Sequence, residues 1–319
     1  METEYFEFLV IGGGAAGLST ALTAAERGQG VLLAERKPQL GGILNQCLHR
    51  GFGRGRFGDG LTGPAYAQWL IQPVETSCVC VRTGVTALRI DPNRTALFSG
   101  RDGLFRVEFQ RCILATGCRE RTIASLPMAG TRPAGIFTAG TAQELMNVGH
   151  YSVGNNIVIL GSGDIGQIMA RQFVLAGKHV VAMIEQKNKP GGLVRNQKEC
   201  LEAYHIPVLL RTTVDEILGD RRIRGVMARN LESGRRWEIP CDTLVTALGL
   251  IPDQTLCGHL IKAGSLPCWL KLCGNCDYVH DMVESVTQEA AALGASWNIT
   301  ADPPCSPPRS GADIPDTLR

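Results

Sequence analysis

Phe6–Arg36 reads FEFLVIGGGAAGLSTALTAAERGQGVLLAER: an apolar run, a glycine cluster, an alanine-rich helical stretch, then a second apolar run closed by Glu35. This is the order strand, turn, helix, strand, with Gly12, Gly14 and Gly17 forming G-x-G-x-x-G. The first glycine allows a tight turn, the second lets backbone approach a pyrophosphate, and the third lets helix and strand pack closely. The helix opening at Ala15 and Ala16 then offers N–H groups and a positive dipole end to phosphates. Glu35, with Arg36 beside it, is placed to accept the ribose hydroxyls of an adenosine.

The device occurs twice. Asn155–Gln186, NNIVILGSGDIGQIMARQFVLAGKHVVAMIEQ, repeats it with Gly161, Gly163 and Gly166, a helix opening at Asp164 and Ile165, and a closing Glu185. A glutamate there repels a 2′-phosphate, which favours NAD(H) over NADP(H). A lone glycine motif is weak evidence, but each copy here keeps its flanking strands, helix and acid. Two dinucleotide sites on one α/β chain are expected.

Composition narrows the classes. Among 319 residues, 32 basic and 30 acidic side chains give a net charge of +2 without a basic run, so nothing points to nucleic acid or an anionic membrane surface. No apolar run reaches the roughly 18 residues that span a bilayer. The acidic start, METEYFEFLVIGGG, enters a strand directly and does not read as a signal peptide. Twelve cysteines without framework spacing are expected to be mostly reduced, and the chain is read as cytoplasmic.

Two further segments, RCILATGCRE (Arg111–Glu120) and DTLVTALGLIPD (Asp242–Asp253), are apolar strands followed by Ala115-Thr116-Gly117 and by Ala-Leu-Gly ending at Gly249. With them the chain resembles the two-dinucleotide-binding-domain flavoproteins, the superfamily of glutathione and thioredoxin reductases, over about residues 5–295. The resemblance implies two Rossmann-like domains: an FAD domain of residues 1–120 and 248–297, an NAD(P) domain of 121–247 inserted in it, and a loose tail over 298–319. It also implies FAD and NAD(H) as cofactors. GGILNQCLHRGFG, LTGPAYAQWL, RPAGIFTAGTAQELMN and CGNCDYVHDMVESVT further resemble the small flavoprotein subunits that accompany FAD-dependent 2-hydroxyacid, glycerol-3-phosphate or amino-acid dehydrogenases, a group that includes opine oxidase and hydrogen cyanide synthase subunits. That likeness implies a partner dehydrogenase or electron-transfer subunit, and an oligomer is expected.

The superfamily's reductases carry a redox disulfide in one of two places, and neither is filled here. After Gly41-Gly42, Leu44 and His49 stand at the expected cysteine positions, with Cys47 alone between them. The inserted region holds only Cys200 and Cys241, far apart in sequence. Cys47 and His49 are expected on the helix that passes the flavin, where either could tune it or move a proton, or simply pack.

The remaining pair is Cys273 and Cys276 in KLCGNCDYVHD (Lys271–Asp281). By the resemblance, LPCWLKLC (Leu266–Cys273) is the last strand of the FAD domain, Gly274-Asn275 replaces a Gly-Asp that contacts the ribityl chain, and the helix starts at Asp277. Asn275 can still accept a hydrogen bond but carries no charge. His280 falls in that helix's first turn, a candidate proton donor or substrate contact. The two cysteines stay open between strand-end packing, a redox dithiol and a zinc site, the last lacking ligands at a known spacing. No metal is expected. GFGRGRFGDG (Gly51–Gly60) reads as a mobile glycine-rich loop.

The function expected is transfer of electrons between NAD(H) and another acceptor through FAD, without a disulfide. The alternatives are an electron-relay subunit of a larger dehydrogenase and a disulfide reductase using Cys273 and Cys276.

Overall fold

The computed structural model describes residues 3–261 and 265–297. Contacts divide the chain into two units: the described parts of Met1–Arg119 and Ile251–Arg319, and Glu120–Leu250. The first unit opens with β1 (Thr3–Ile11), α1 (Ala15–Glu26), β2 (Val31–Ala34), α2 (Gly63–Glu75), β3 (Cys80–Arg82), β4 (Thr86–Asp91), β5 (Thr95–Gly100) and β6 (Gly103–Leu114). The second unit holds β7 (Ile136–Thr138), α3 (Ala139–Asn147), β8 (Asn156–Leu160), α4 (Asp164–Leu175), β9 (His179–Ile184) and β10 (Val208–Leu209). It continues with β11 (Thr212–Gly219), β12 (Ile223–Asn230), β13 (Arg236–Pro240) and β14 (Thr243–Thr246). The chain then returns to the first unit with β15 (Leu270–Leu272) and α5 (Val283–Ser296).

The first unit's sheet has seven strands in the order β3-β2-β1-β6-β5-β4, with β15 beside β6. Pairing is parallel among β1, β2, β3 and β6 and between β6 and β15, and antiparallel along β4-β5-β6. The central strands are buried on both faces, so they read as unbroken apolar runs. In β1, Phe8 and Val10 pack with α1, α2 and α5, while Leu9 and Ile11 join Phe98, Cys112 and Leu270 on the other side. Each fully buried Leu or Phe contributes about 1.5–3 kcal/mol. Small residues let α5 approach α1: a Cβ on Gly294 would lie 2.6 Å from the Thr20 carbonyl, and the Thr20 hydroxyl donates to Ala290 O at 3.2 Å.

The second unit is a five-stranded parallel sheet, β7-β14-β8-β9-β10, and a four-stranded sheet of Ala129–Gly130, β11, β12 and β13. Both units are thus α/β Rossmann-type folds. The tail over 298–319 lies outside the described residues.

Four local expectations are corrected. The strand expected over Leu266–Cys273 shortens to β15, because Pro267 cannot donate to a ladder and its carbonyl closes a turn onto Leu270 N–H at 2.9 Å. The helix expected from Asp277 starts only at Val283, after Met282. Asn275 Oδ1 captures the His280 backbone N–H at 3.0 Å, holding the intervening residues in a turn that competes with helix. Cys47 and His49 are not helical, since a single 3-10 turn covers only Gly42–Gln46. Gly51–Gly60 is not a loose loop. Arg50–Phe52 pairs with Leu61–Thr62, and between them Phe57 packs edge-on against Trp69 at 5.5 Å, with the Arg56 guanidinium 5.0 Å from that indole.

Candidate functional site

In the first unit, β1 leads into Gly12, whose φ of +113° suits glycine. A Cβ on Gly12 would strike the Ala115 carbonyl, and one on Gly17 would strike the Gly12 carbonyl. Turn, helix and the end of β6 are therefore in backbone contact, which places Ala115 beside the turn. Gly14 caps α1 without any side-chain hydrogen bond, and the first turn, with Ala15 and Ala16, holds no acid. Like any helix start, it carries N–H groups without intrahelical partners and the positive end of the helix dipole.

Glu35 is buried beneath this turn. Its Oε2 accepts the Gly13 N–H at 2.6 Å and its Oε1 the Lys37 N–H at 2.7 Å. A carboxylate has about four lone-pair sites, so these two donors do not exhaust it. Gly41 N–H donates to Gly13 O at 2.8 Å, and a Cβ on Gly42 would lie 3.0 Å from Gly14 Cα, so the Gly41-Gly42 pair seals the turn from above. Arg36 is exposed. Thr116 Oγ1 donates to Asp253 O at 2.7 Å, and Gly117, with φ +76°, accepts the Asp253 N–H at 3.0 Å.

The same unit brings Gly274 to this place. Its φ is +66°, and a Cβ would lie 2.8 Å from the Ala16 side chain, so the Gly274-Asn275 turn rests on the first turn of α1. His280 follows, its side chain only 3% exposed, with Nε2 2.9 Å from Glu289 Oε2. This pair, with the imidazole covered and Glu289 half-buried, corrects its expected place in a helix turn.

The second unit repeats the skeleton. A Cβ on Gly161, φ +101°, would strike the Ala247 carbonyl, and one on Gly166 would lie 2.7 Å from Gly161 O. Gly163 caps α4, which opens with Asp164 and the core-packed Ile165. Glu185 is buried; its Oε2 accepts the Ser162 N–H at 3.1 Å and hydroxyl at 2.5 Å, and its Oε1 accepts the Lys187 N–H at 2.9 Å. Gly191 N–H donates to the Ser162 hydroxyl at 2.8 Å, and Gln167 Nε2 donates to Ser162 O and Gly191 O, both at 2.7 Å. Asp164 Oδ1 accepts from Leu193 N–H at 2.8 Å and Asn196 Nδ2 at 2.6 Å. Gly249, φ +93°, accepts the Arg121 N–H at 2.9 Å.

Sequence reasoning misses Lys37, Gly41, Ser162, Gln167, Lys187, Gly191 and Gly192 as parts of these sites. A signal is available: KPQLGG and KNKPGG each begin two residues after the acid and end in Gly-Gly at the same offset.

Among the described residues, Cys273 and Cys276 fall in separate clusters rather than side by side as a dithiol. Cys273 packs with Leu18 and Ala290, its Sγ 3.7 Å from Thr20 Oγ1, whereas Cys276 packs with Leu114 and Cys257 in the opposite cluster and donates to Leu114 O at 2.7 Å. Burial pushes Cys273 up to about 12 and Cys276 to about 11, so neither is the thiolate that exchange needs. Cys47 donates to Ile43 O at 3.4 Å and burial pushes it up to about 12. His49 is half-buried, its ring 5.0 Å from Phe52 and its Nδ1 3.2 Å from Arg50 O. Among the described residues no three His, Cys, Asp or Glu side chains group as metal ligands, and no helix is long and apolar enough to cross a membrane.

Residues 6–270 match the pyridine nucleotide-disulphide oxidoreductase family. The chain belongs to that family. Members are FAD-dependent oxidoreductases that use FAD and NAD(P)H. An opine oxidase subunit of Agrobacterium tumefaciens is 25% identical over 80% of this chain and 54% of its own length. Hydrogen cyanide synthase subunit HcnB of Pseudomonas aeruginosa is 27% identical over 56% of this chain and 38% of its own. The chain thus spans about half, or less, of these relatives. Among solved structures, thioredoxin reductase of T. acidophilum superposes with a TM-score of 0.72 at 19% identity, over 92% of this chain and 98% of its own. That likeness is one of fold, the two Rossmann-type units. In each unit the glycine turn leaves backbone bare of side chains, and a buried acid stands beneath it.

Proposed function

We propose that the chain is an FAD oxidoreductase subunit that passes electrons between NAD(H) and a second acceptor or donor without a disulfide. In this reading FAD is held by Gly12, Gly14, Ala15, Ala16, Gly17, Glu35, Arg36, Gly42, Ala115, Thr116, Gly117, Gly274 and Asn275. NAD(H) is held by Gly161, Gly163, Asp164, Ile165, Gly166 and Glu185, with Gly249 at the segment's end. The observation that carries it is the repeated carboxylate under each glycine turn, combined with Cys273 and Cys276 lying as thiols in separate clusters. When bound, the cofactors supply hydride exchange between nicotinamide and flavin, so no side-chain nucleophile is needed. The protein's part is to bind, orient and exclude water. Cys47 packs as a protonated thiol beside Gly63 and Ile43, and half-buried His49 is the titratable group on that segment open to solvent.

The test is anaerobic addition of NADH to purified protein. Bleaching of the flavin's visible absorbance is expected, and an unchanged spectrum would sink the reading. Cys276→Ser should keep full NADH-dependent turnover with an external acceptor; its loss would restore the dithiol alternative.

A second reading is favoured because both relatives are themselves subunits of larger enzymes: the chain relays electrons from a partner dehydrogenase in a cytoplasmic oligomer. Size-exclusion of the native complex decides between them. A chain that elutes alone and turns over NADH unaided argues for the autonomous enzyme.

A further inference from the structure

Asn275 stands where the superfamily's Asp accepts a hydrogen bond from FAD, yet its carbonyl is already committed. Asn275 Oδ1 accepts the His280 backbone N–H at 3.0 Å and faces His280 Nδ1 at 3.3 Å. The backbone N–H takes one of the oxygen's two lone pairs, and the single Nδ1 hydrogen is shared between this oxygen and the nearer Tyr278 O. The reverse amide orientation would set the NH2 group against a backbone N–H, donor against donor. Nδ1 also lies 3.0 Å from Tyr278 O; both neighbours are acceptors that cannot give up a proton, so Nδ1 carries the hydrogen. At the other side of the ring, Nε2 meets Glu289 Oε2 at 2.9 Å, and the same oxygen accepts the Tyr278 hydroxyl at 2.9 Å. Tyr278 stacks on the imidazole at 4.0 Å between centroids. The ring is thus held on three sides, and it holds Asn275 in turn.

The amide nitrogen points the other way, 3.8 Å from Cys118 Sγ, just past Ala115-Thr116-Gly117 at the end of β6. An amide NH2 carries two hydrogens, and one remains after Cys118. We infer that Asn275 meets the flavin nucleotide as a hydrogen-bond donor, the reverse of the superfamily's Asp, and that His280 and Glu289 are positioning residues that impose this polarity. The inference rests on FAD occupying the first unit. A donor at this position favours the electron-rich reduced cofactor, whereas a carboxylate oxygen disfavours it.

The experiment measures the flavin midpoint potential of the holoprotein by dye equilibration, and the ¹⁵N side-chain signal of Asn275 with and without FAD. Asn275→Asp should weaken binding of reduced relative to oxidised FAD by about tenfold, a fall of about 30 mV. His280→Phe keeps the backbone N–H but removes the Nδ1 contact and the ring's tie to Glu289, so it should move the potential the same way by loosening the amide, and Glu289→Gln, nearly isosteric, should do so less. Adding His280→Phe to Asn275→Asp should lower it no further. An unchanged potential in Asn275→Asp, or a wild-type Asn275 NH2 signal in both His280→Phe and Glu289→Gln, overturns the inference. Failure of wild-type protein to take up FAD would instead defeat the assignment of the first site. In flavin-free protein the Asn275 signal should still shift in His280→Phe, and its constancy would overturn the positioning role.

Discussion

The two glycine turns share a skeleton and differ in what fills it. At the first, Gly13 presents only backbone to Glu35, and Gly41 bonds directly to the Gly13 carbonyl. At the second, the Ser162 hydroxyl is inserted between Glu185 and Gly191, taking a further lone pair of the acid. The helix that follows opens with Ala15 in one case and Asp164 in the other. The first site therefore offers more acceptor capacity to a ribose and an uncompensated helix dipole to a pyrophosphate. The second meets the same ligand groups with a carboxylate already in the helix's first turn. On the function proposed above, the difference fits a resident cofactor at one turn and an exchanging one at the other.

The largest effects should come from filling the turns. Gly17→Val sets side-chain carbons on the Gly12 carbonyl, so flavin retention should fall at least about 100-fold, roughly 2.7 kcal/mol. Gly166→Val should abolish NADH binding by calorimetry while the flavin stays. If Gly17→Val kept its flavin, the first turn would not be the FAD site.

Alkaline pH should separate the units by their buried thiols. Cys47, Cys257 and Cys273 sit in the first unit with Cys276, raised from 9.0 to about 12, 11, 12 and 11, against Cys241 at about 12 and a raised Cys200 in the second. The folded state holds these protons more tightly than the unfolded chain. Their stabilisation is therefore intact below about pH 9 and fades as pH rises toward 11–12, by roughly 1.4 kcal/mol per unit for each group. Hydrogen exchange at pH 8 and 10 should show the first unit losing protection faster; equal losses would contradict the packing described.

Removing the acids' charge should act next. Glu35→Gln loses an acceptor for a backbone N–H and should weaken FAD by about tenfold, a hydrogen bond to a charged group being worth roughly 1.5–3 kcal/mol. Glu185→Gln should weaken NADH less, because Ser162 partly satisfies the site, and should narrow the preference over NADPH. The smallest effects should follow exchange of the first helical residues. Asp164→Asn, which keeps an acceptor for Leu193 and Asn196, should tighten NADH, and Ala15→Asp weaken FAD, each about two- to fivefold, as expected for one charge at a helix N-terminus. Opposite signs would remove the electrostatic contrast between the turns.

Much of this is legible in the sequence because period and spacing are local properties. The glycine positions, the apolar runs before them and the acids after them all follow from what a short chain segment can adopt. Glu35 and Glu185 emerge from distance along the chain alone. His280 reads as a helix residue because its environment is supplied by Asn275 and by Glu289, nine residues on, whose effect appears only once both are folded. Phe57 and Arg56 read as parts of a loose loop because glycine frequency says nothing about an aromatic neighbour such as Trp69.

By itself the sequence determined two Rossmann-type nucleotide turns, the acid under each, and the absence of the usual dithiol spacings. Only the tertiary structure decided that Cys273 and Cys276 face opposite clusters, that Ser162 occupies part of Glu185, and that Asn275 has committed its carbonyl to His280. The physical reason is that hydrogen-bond capacity and burial belong to surroundings assembled from distant segments, whereas turn sterics and hydrophobic period belong to neighbours in the chain.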